Sequence, residues 1–101
     1  MAKILFEVDS RRRAELLAKV SEQAPRRAQH GERSFTVHVD DNARHICYVF
    51  LEWESLRSAH RFLESPASRE LVAEWPVEKI LGAIPLYDLA EQIDAIDKAK
   101  K

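Results

Sequence analysis

The sequence predicts an α+β domain built on one antiparallel sheet with helices packed against one face. Residues 3–9 and 34–40 alternate apolar and polar side chains, which is typical of strands with one buried face. Residues 46–51 (Ile-Cys-Tyr-Val-Phe-Leu) are apolar at even and odd positions alike. Because successive side chains of a strand point to opposite faces, this third strand requires cover on both sides of the sheet.

The composition is that of an ordinary globular domain. The chain has 101 residues, 46% hydrophobic and 33% charged, with two glycines and four prolines; one domain with a modest core is expected. Sixteen basic and seventeen acidic residues give a formal net charge of −1, which argues against nucleic acid or a membrane as a partner. The basic run Arg11-Arg12-Arg13 opens a helix, and a solvated helical face explains it better than a phosphate-binding patch.

The single cysteine, Cys47, and the N-terminal residues favour a cytoplasmic location. One cysteine allows no intramolecular disulfide, and a reducing compartment is the usual setting for such a chain. Residues 1–7 contain no apolar segment or cleavage site of the signal-peptide type. No stretch of the sequence approaches the length of a membrane span.

The first half of the chain predicts a strand, a helix and a second strand. The first strand covers residues 3–9, and Asp9 or Ser10 caps the helix that follows. Pro25 is expected to break or offset this helix, so that the polar segment 26–33 leads into the strand at residues 34–40. Helical spacing assigns the apolar face of the helix to Ala14, Leu17, Ala18 and Ser21, flanked by Leu16 and Val20.

A β-hairpin is predicted between the second and third strands, residues 34–40 and 44–53. Asp41-Asn42 is a strong turn signal between two strand-like segments. With a loop of two or four residues, His38 lies opposite His45 and Thr36 lies opposite Cys47. A three-residue loop shifts the register and separates these pairs.

The second half predicts a helix, a fourth strand and a terminal helix. Ser55 caps a helix that Ser65-Pro66 interrupts, and a further turn or two leads to Trp75-Pro76. The fourth strand lies within residues 79–87, at an edge or with a bulge, because Pro85 has no N–H for a ladder. Asp88-Leu89-Ala90-Glu91 has the pattern of a capping box, so residues 88–100 are predicted to form a short helix.

The order β-α-β-β-α-β plus a terminal helix is the ferredoxin-like arrangement, an antiparallel sheet with two helices on one face. The other face is expected to carry Val49, Leu51 and Trp53, and an exposed apolar face of that size usually marks an interface. Two copies that close their sheets face to face would cover it. A homodimer is therefore predicted. Each protomer is expected to be a single domain over residues 1–101, with residues 3–87 forming the barrel core.

Residues 48–55 (Tyr-Val-Phe-Leu-Glu-Trp-Glu-Ser), continued to Ser65-Pro66, resemble the antibiotic biosynthesis monooxygenase-like branch of the dimeric α+β barrel superfamily. In that branch a strand ends in an acidic residue and tryptophan, and a helix then leads to a Ser-Pro pair. His30-Gly31 before Phe35-Thr36-Val37 is similar to the family's glycine before the second strand. The resemblance, which covers residues 3–87, implies a dimeric α+β barrel. It also implies a cofactor-independent oxygenase of a small aromatic or polyketide-like compound.

Two departures from the family pattern bear on activity. Members often carry a histidine three residues before the Ser-Pro pair, where this chain has Phe62; His60 lies two residues earlier, about half a turn away on a helix. Haem-degrading relatives use an Asn, a Trp and a His, and this chain lacks all three at the matching positions. Haem degradation is therefore not expected. The alternative to an oxygenase is a non-catalytic dimer that binds a small apolar or aromatic ligand, or a stress-related protein.

The candidate site residues come from the hairpin and the second helix. His38 is the candidate general base toward a phenolic or enolic substrate, since imidazole exchanges protons near neutral pH. The candidate substrate-binding residues are Thr36, Cys47, Trp53 and His60. Each has a structural alternative: a buried small hydrophobe for Cys47, core packing for Trp53 and a helix-surface position for His60. The spacing matches no metal-binding signature, so no metal is expected.

Overall fold

The computed structural model describes residues 2–87 as a four-stranded antiparallel sheet with three helices. The elements are β1 (Ala2–Asp9), α1 (Arg13–Ala28), β2 (Glu32–Val39), β3 (Ile46–Trp53), α2 (Leu56–Glu64), α3 (Pro66–Ala73) and β4 (Lys79–Tyr87). The strand order across the sheet is β2-β3-β1-β4. The predicted α+β, ferredoxin-like fold is confirmed. The terminal helix predicted at 88–100 lies outside the described residues.

The hydrophobic core lies between the sheet and the helices. Alternate residues of the two central strands are buried there: Ala2, Ile4, Phe6 and Val8 of β1, and Cys47, Val49, Leu51 and Trp53 of β3. Fully burying one large apolar side chain contributes about 1.5–3 kcal/mol, so these two strands supply much of the driving force for folding. The prediction that Val49, Leu51 and Trp53 occupy the uncovered face is wrong, because β3 is apolar on both faces and its pattern cannot say which one the helices cover.

Helix α1 continues through Pro25 and ends at Ala28, three residues later. The prediction that Pro25 breaks the helix is therefore wrong. Proline removes one backbone hydrogen bond from a helix interior. The last turn is held instead by Arg27, whose guanidinium donates to the carbonyl of Val20 at 2.8 Å and to the carboxylate of Glu32. These contacts of Arg27 outweigh the cost of the backbone hydrogen bond that is lost at Pro25.

The buried face of α1 differs from the predicted one. It consists of Leu16, Val20, Gln23 and Arg27, which follow a helical period. The predicted face is exposed to solvent: Ala14, Leu17, Ala18 and Ser21. Because two of the four buried side chains are polar, a search for apolar periodicity selects the wrong stripe of this helix.

The β2–β3 hairpin has a longer loop than a two-residue turn. Asp40 organises it: its carboxylate accepts hydrogen bonds from the backbone N–H groups of Asn42 at 2.8 Å and Ala43 at 3.0 Å. His38 consequently pairs with Tyr48, and Thr36 with Phe50. The predicted pairings of His38 with His45 and of Thr36 with Cys47 are wrong by three positions, and an odd shift moves a side chain to the other face.

The connections around α2 and α3 are as predicted. Ser55 caps α2 in a capping box with Ser58, and Pro66 opens α3, where a missing N–H is tolerated. Gly31, which joins α1 to β2, has a φ of 107°, and its carbonyl accepts from the Glu54 N–H at 3.0 Å. A Cβ at Gly31 would lie 3.1 Å from the Cβ of Ser58. Glycine is therefore required at position 31 by both conformation and space.

Strand β4 lies at an edge of the sheet, as Pro85 predicted, and its register against β1 shifts between Glu7 and Val8. Several of its apolar side chains are exposed: Ile80, Leu81, Ile84, Leu86 and Tyr87. Within the part of the chain that the structure describes, no helix has the length and apolar character needed to cross a membrane.

Candidate functional site on the open sheet face

The side of the sheet that faces away from the helices, called here the open face, carries aligned rows of side chains. The strand register places one row across all four strands, and its members are Thr36, Phe50, Leu5 and Ile84. The neighbouring row contains His38, Tyr48 and Glu7. The side chain of Ile84 is 52% exposed. The open face therefore offers an apolar strip with ionisable groups beside it.

His38 lies on this surface between Thr36 and Phe50. Its Nε2 lies 3.2 Å from the hydroxyl oxygen of Thr36, within hydrogen-bond distance. Its ring packs edge-on against Phe50, with 5.6 Å between ring centroids. These contacts hold the imidazole beside the apolar strip. A neutral imidazole in that position can accept a proton from a ligand lying on Phe50.

Tyr48 and Asp40 form a hydrogen-bonded pair next to His38. The Tyr48 hydroxyl donates to the Asp40 carboxylate at 2.9 Å. This bond raises the pKa of Tyr48. Backbone donation from Asn42 and the Tyr48 hydroxyl both lower the pKa of Asp40. The phenol of Tyr48 is thus kept protonated, which makes it a hydrogen-bond donor rather than a base.

Replacing Asp40 by asparagine should remove stability at neutral pH but not in acid. A carboxyl with a lowered folded pKa stabilises the fold above its ordinary pKa, and this contribution is lost as the pH falls through the folded value. The difference between wild type and Asp40→Asn should therefore be present at pH 7 and disappear well below about pH 4. Urea unfolding at both pH values measures it. Asp41→Asn is the matched control, because Asp41 makes none of these bonds; equal behaviour of the two variants would contradict the prediction.

Cys47 and Trp53 lie under the helices, on the opposite side of the sheet from His38. Both are fully buried, and burial raises the pKa of the Cys47 thiol. Trp53 packs on Phe62 with 4.7 Å between ring centroids, and its Nε1 has no hydrogen-bond partner among the described residues. These two residues therefore belong to the core and do not meet Thr36 and His38.

His60 is exposed on α2, and the structure brings it to neither Trp53 nor the open face. Of the five predicted site residues, His38 and Thr36 alone come together. Position 30, which the sequence analysis did not consider for the site, holds a histidine whose ring lies 5.7 Å from that of Phe62. No group of three metal-ligating side chains occurs among residues 2–87.

A second concave surface, a groove of about 520 Å³, lies between α3, the segment 74–79 and β4. Its aromatic walls are Phe6 and Trp75, which meet edge to face with 5.0 Å between centroids. The Trp75 indole N–H donates to Gln23 at 2.8 Å, which fixes the ring. Trp75 is not among the predicted site residues, and the apolar segment Trp75-Pro76-Val77 was the available signal for a wall. The groove has the size and apolar lining of a small-ligand pocket.

The fold and the open face define a class: a small ferredoxin-like α+β protein with a histidine beside an apolar sheet surface. A family model described as antibiotic biosynthesis monooxygenase matches residues 1–74. The chain belongs to this family. A comparison with curated protein sequences gives no match.

Solved structures share the fold at low sequence identity. A Bordetella bronchiseptica protein, provisionally named an antibiotic biosynthesis monooxygenase, has a TM-score of 0.71 at 14% identity over 87% of this chain and 96% of its own. The Mycobacterium tuberculosis protein Rv0793 has a TM-score of 0.61 at 18% identity, covering 87% and 94%. The Pseudomonas aeruginosa protein PA3566 has a TM-score of 0.55 at 19% identity, covering 87% and 93%. At these identities the similarity shows the fold alone.

Proposed function

We propose that the protein is a homodimeric, cofactor-independent oxygenase of a small aromatic or polyketide-like compound, with its site on the open face. One observation carries the proposal: His38 and Thr36 lie 3.2 Å apart beside the apolar side chains of Phe50, Leu5 and Ile84, on the sheet surface that faces away from the three described helices. Membership of the antibiotic biosynthesis monooxygenase family supports the reaction class. The buried free thiol of Cys47 is compatible with the reducing cytoplasm, which is the proposed location.

The dimer forms by contact between two open faces. Leu5 and Phe50 are half-buried, and Ile84 and Leu86 are 52% and 38% exposed. Covering such a strip removes apolar surface from water, at about 25 cal/mol per Å². A second copy is the natural cover, because a two-fold axis sets the same surface against itself. Such closure also shields His38 from bulk water.

In this site His38 removes a proton from a phenolic or enolic substrate whose ring lies on Phe50. The resulting electron-rich anion reacts with O₂. Conversion of an activated CH₂ group to a carbonyl consumes one O₂ and releases one water, so atoms and electrons balance without an external reductant. Thr36 orients the imidazole through its hydroxyl oxygen, 3.2 Å from Nε2.

Replacing His38 by alanine should lower the turnover number for oxygen uptake by about 100-fold or more, the usual contribution of a general base. The measurement is oxygen consumption with a panel of phenolic and anthrone-type compounds. Circular dichroism of the variant should match wild type, because His38 is exposed.

His60→Ala is the matched control, since it removes another exposed histidine from α2, on the helix side of the sheet. It should keep wild-type turnover within about twofold, against the 100-fold loss expected of a missing general base. Unchanged turnover in His38→Ala would remove His38 from the mechanism. Absence of oxygen uptake by the wild-type dimer across the whole panel would count against an oxygenase.

A second candidate function is non-catalytic binding of a small apolar or aromatic ligand in the groove at Trp75. The observation that favours it is the rigid aromatic wall of Phe6 and Trp75 around about 520 Å³. No histidine lines this groove among the described residues. Ligand density there, in crystals of protein purified from its own host, would favour binding over catalysis.

A further inference from the structure

Four arginines line an open concave surface at one end of the molecule. The cavity has a volume of about 620 Å³ and lies between the start of α1 and the β2–β3 hairpin. Its lining residues are Arg11, Arg12, Arg13, Ala14, Glu15, Val39 and Arg44. Val39 and Arg44 come from the β2–β3 hairpin and the other five residues from the α1 end, so the fold assembles a basic pocket, defined by these residues, from two separate segments.

Acidic neighbours compensate only part of the positive charge of the basic pocket. Arg12 forms a salt bridge of 3.5 Å with Glu15, and both side chains are largely exposed. Glu78 is a second acidic neighbour, because its carboxylate accepts from the backbone N–H of Arg11 at 3.1 Å, whereas the salt bridges among residues 2–87 include neither Arg13 nor Arg44. The Asp40 carboxylate, which follows Val39, is already engaged by Asn42, Ala43 and Tyr48. The pocket thus concentrates cations in a chain whose net charge is −1.

The arginines also stand where helix electrostatics opposes them. The N-terminus of a helix carries partial positive charge, so acidic residues are favoured there and basic ones disfavoured. Arg12 occupies the N-cap of α1 and provides no side-chain acceptor for the first-turn N–H groups. Such a local conflict is expected at functional sites. An anion bound among the four arginines would relieve both the dipole and the mutual repulsion.

We propose that the basic pocket binds the phosphate or diphosphate group of a small molecule. Guanidinium groups match phosphate geometry with paired hydrogen bonds, and arginine is the preferred side chain for this contact. The volume of about 620 Å³ is that of a small-molecule site. Val39, which is 38% exposed at the rim, offers apolar contact to the rest of the ligand. The pocket uses neither His38 nor Trp75, so the inference is independent of the proposed function.

Calorimetric titration of the full-length protein with pyrophosphate tests the proposal. Wild type should bind at about 150 mM salt, where contacts to distant exposed charges are screened. Arg44→Gln, a single change in the exposed loop, should weaken binding about tenfold. The double variant Arg13→Gln/Arg44→Gln should weaken it about 100-fold, because each substitution removes one charged hydrogen-bonding group. ADP and glucose 6-phosphate in parallel titrations distinguish a nucleotide from a sugar phosphate as the source of the group.

Arg57→Gln/Arg61→Gln is the control, because it makes the same change in net charge on the exposed surface of α2. Its affinity for pyrophosphate should stay within about twofold of wild type, well short of the tenfold loss expected for a lost charged contact. An equal loss in the control and the pocket variants would show non-specific attraction and overturn the proposal. Failure of wild type to bind pyrophosphate would overturn it as well. Thermal melting of each variant verifies that the fold is intact.

Discussion

Replacing Glu32 by glutamine should destabilise the protein by about 3–5 kcal/mol, the usual effect of removing one partner of a buried ion pair. The side chains of Arg27 and Glu32 are 1% and 3% exposed, and the two are hydrogen-bonded. The Arg27 guanidinium also lies 5.3 Å from the centre of the Phe35 ring. Glutamine leaves this buried cation without a counter-charge. Urea unfolding at pH 7 measures the loss.

Glu22→Gln is the matched control, since it breaks an exposed salt bridge of 3.0 Å with Lys19 on the same helix. That change should remove less than about 1 kcal/mol. Replacing Arg27 by methionine together with Glu32 by leucine should restore much of the stability, because a well-packed apolar pair avoids the desolvation of two charges. Equal stability of the Glu32→Gln and Glu22→Gln variants would contradict the buried-pair account.

Replacing Ile84 by glutamate should raise the dissociation constant of the proposed dimer by about 100-fold or more. A symmetric interface buries the exposed half of two copies of this side chain, worth about 1.5–3 kcal/mol together. The substituted carboxylates would also lose their hydration on closure. Ile84 is 52% exposed in the single chain, so the fold itself should tolerate the change. Sedimentation across a concentration series measures the effect.

Leu17→Glu provides the comparison, because Leu17 is a similarly exposed (48%) apolar residue on α1, on the helix side. It should leave the dissociation constant within about threefold of wild type, against about 100-fold for Ile84→Glu. A stable wild-type monomer at micromolar concentration would rule out the dimer. A dimer unaffected by Ile84→Glu but broken by Leu17→Glu would place the interface on the helices instead.

The sequence was sufficient for the architecture because its strand periods and capping signals are strong. The alternation at residues 3–9, the Ser55 cap and the Ser65-Pro66 break each reappear as an element boundary. It was insufficient wherever a tertiary contact decided the outcome. Arg27 holds α1 beyond Pro25 through Glu32, a partner five residues away across a chain reversal. No local propensity reports such a pair.

Only part of the candidate site could be predicted from the sequence. The alternation of β2 was enough to put Thr36 and His38 on one face, and they meet at 3.2 Å. Their partners across the hairpin depended on loop length, which Asp40 sets through hydrogen bonds that composition alone does not specify. Cys47 was therefore assigned to the wrong face. Trp53 was also assigned to the wrong face, because β3 is apolar on both faces and its sequence does not indicate which face the helices cover.

The glycine between α1 and β2 has a consequence for how this family member can vary. With 3.1 Å between a Cβ at Gly31 and the Cβ of Ser58, any larger residue must push α2 away from the start of β2. The lack of a side chain at position 31 therefore allows the capping serine pair of α2 to lie close to the end of α1. We expect a substitution at position 31 to tilt α2 first and to change the sheet only afterwards.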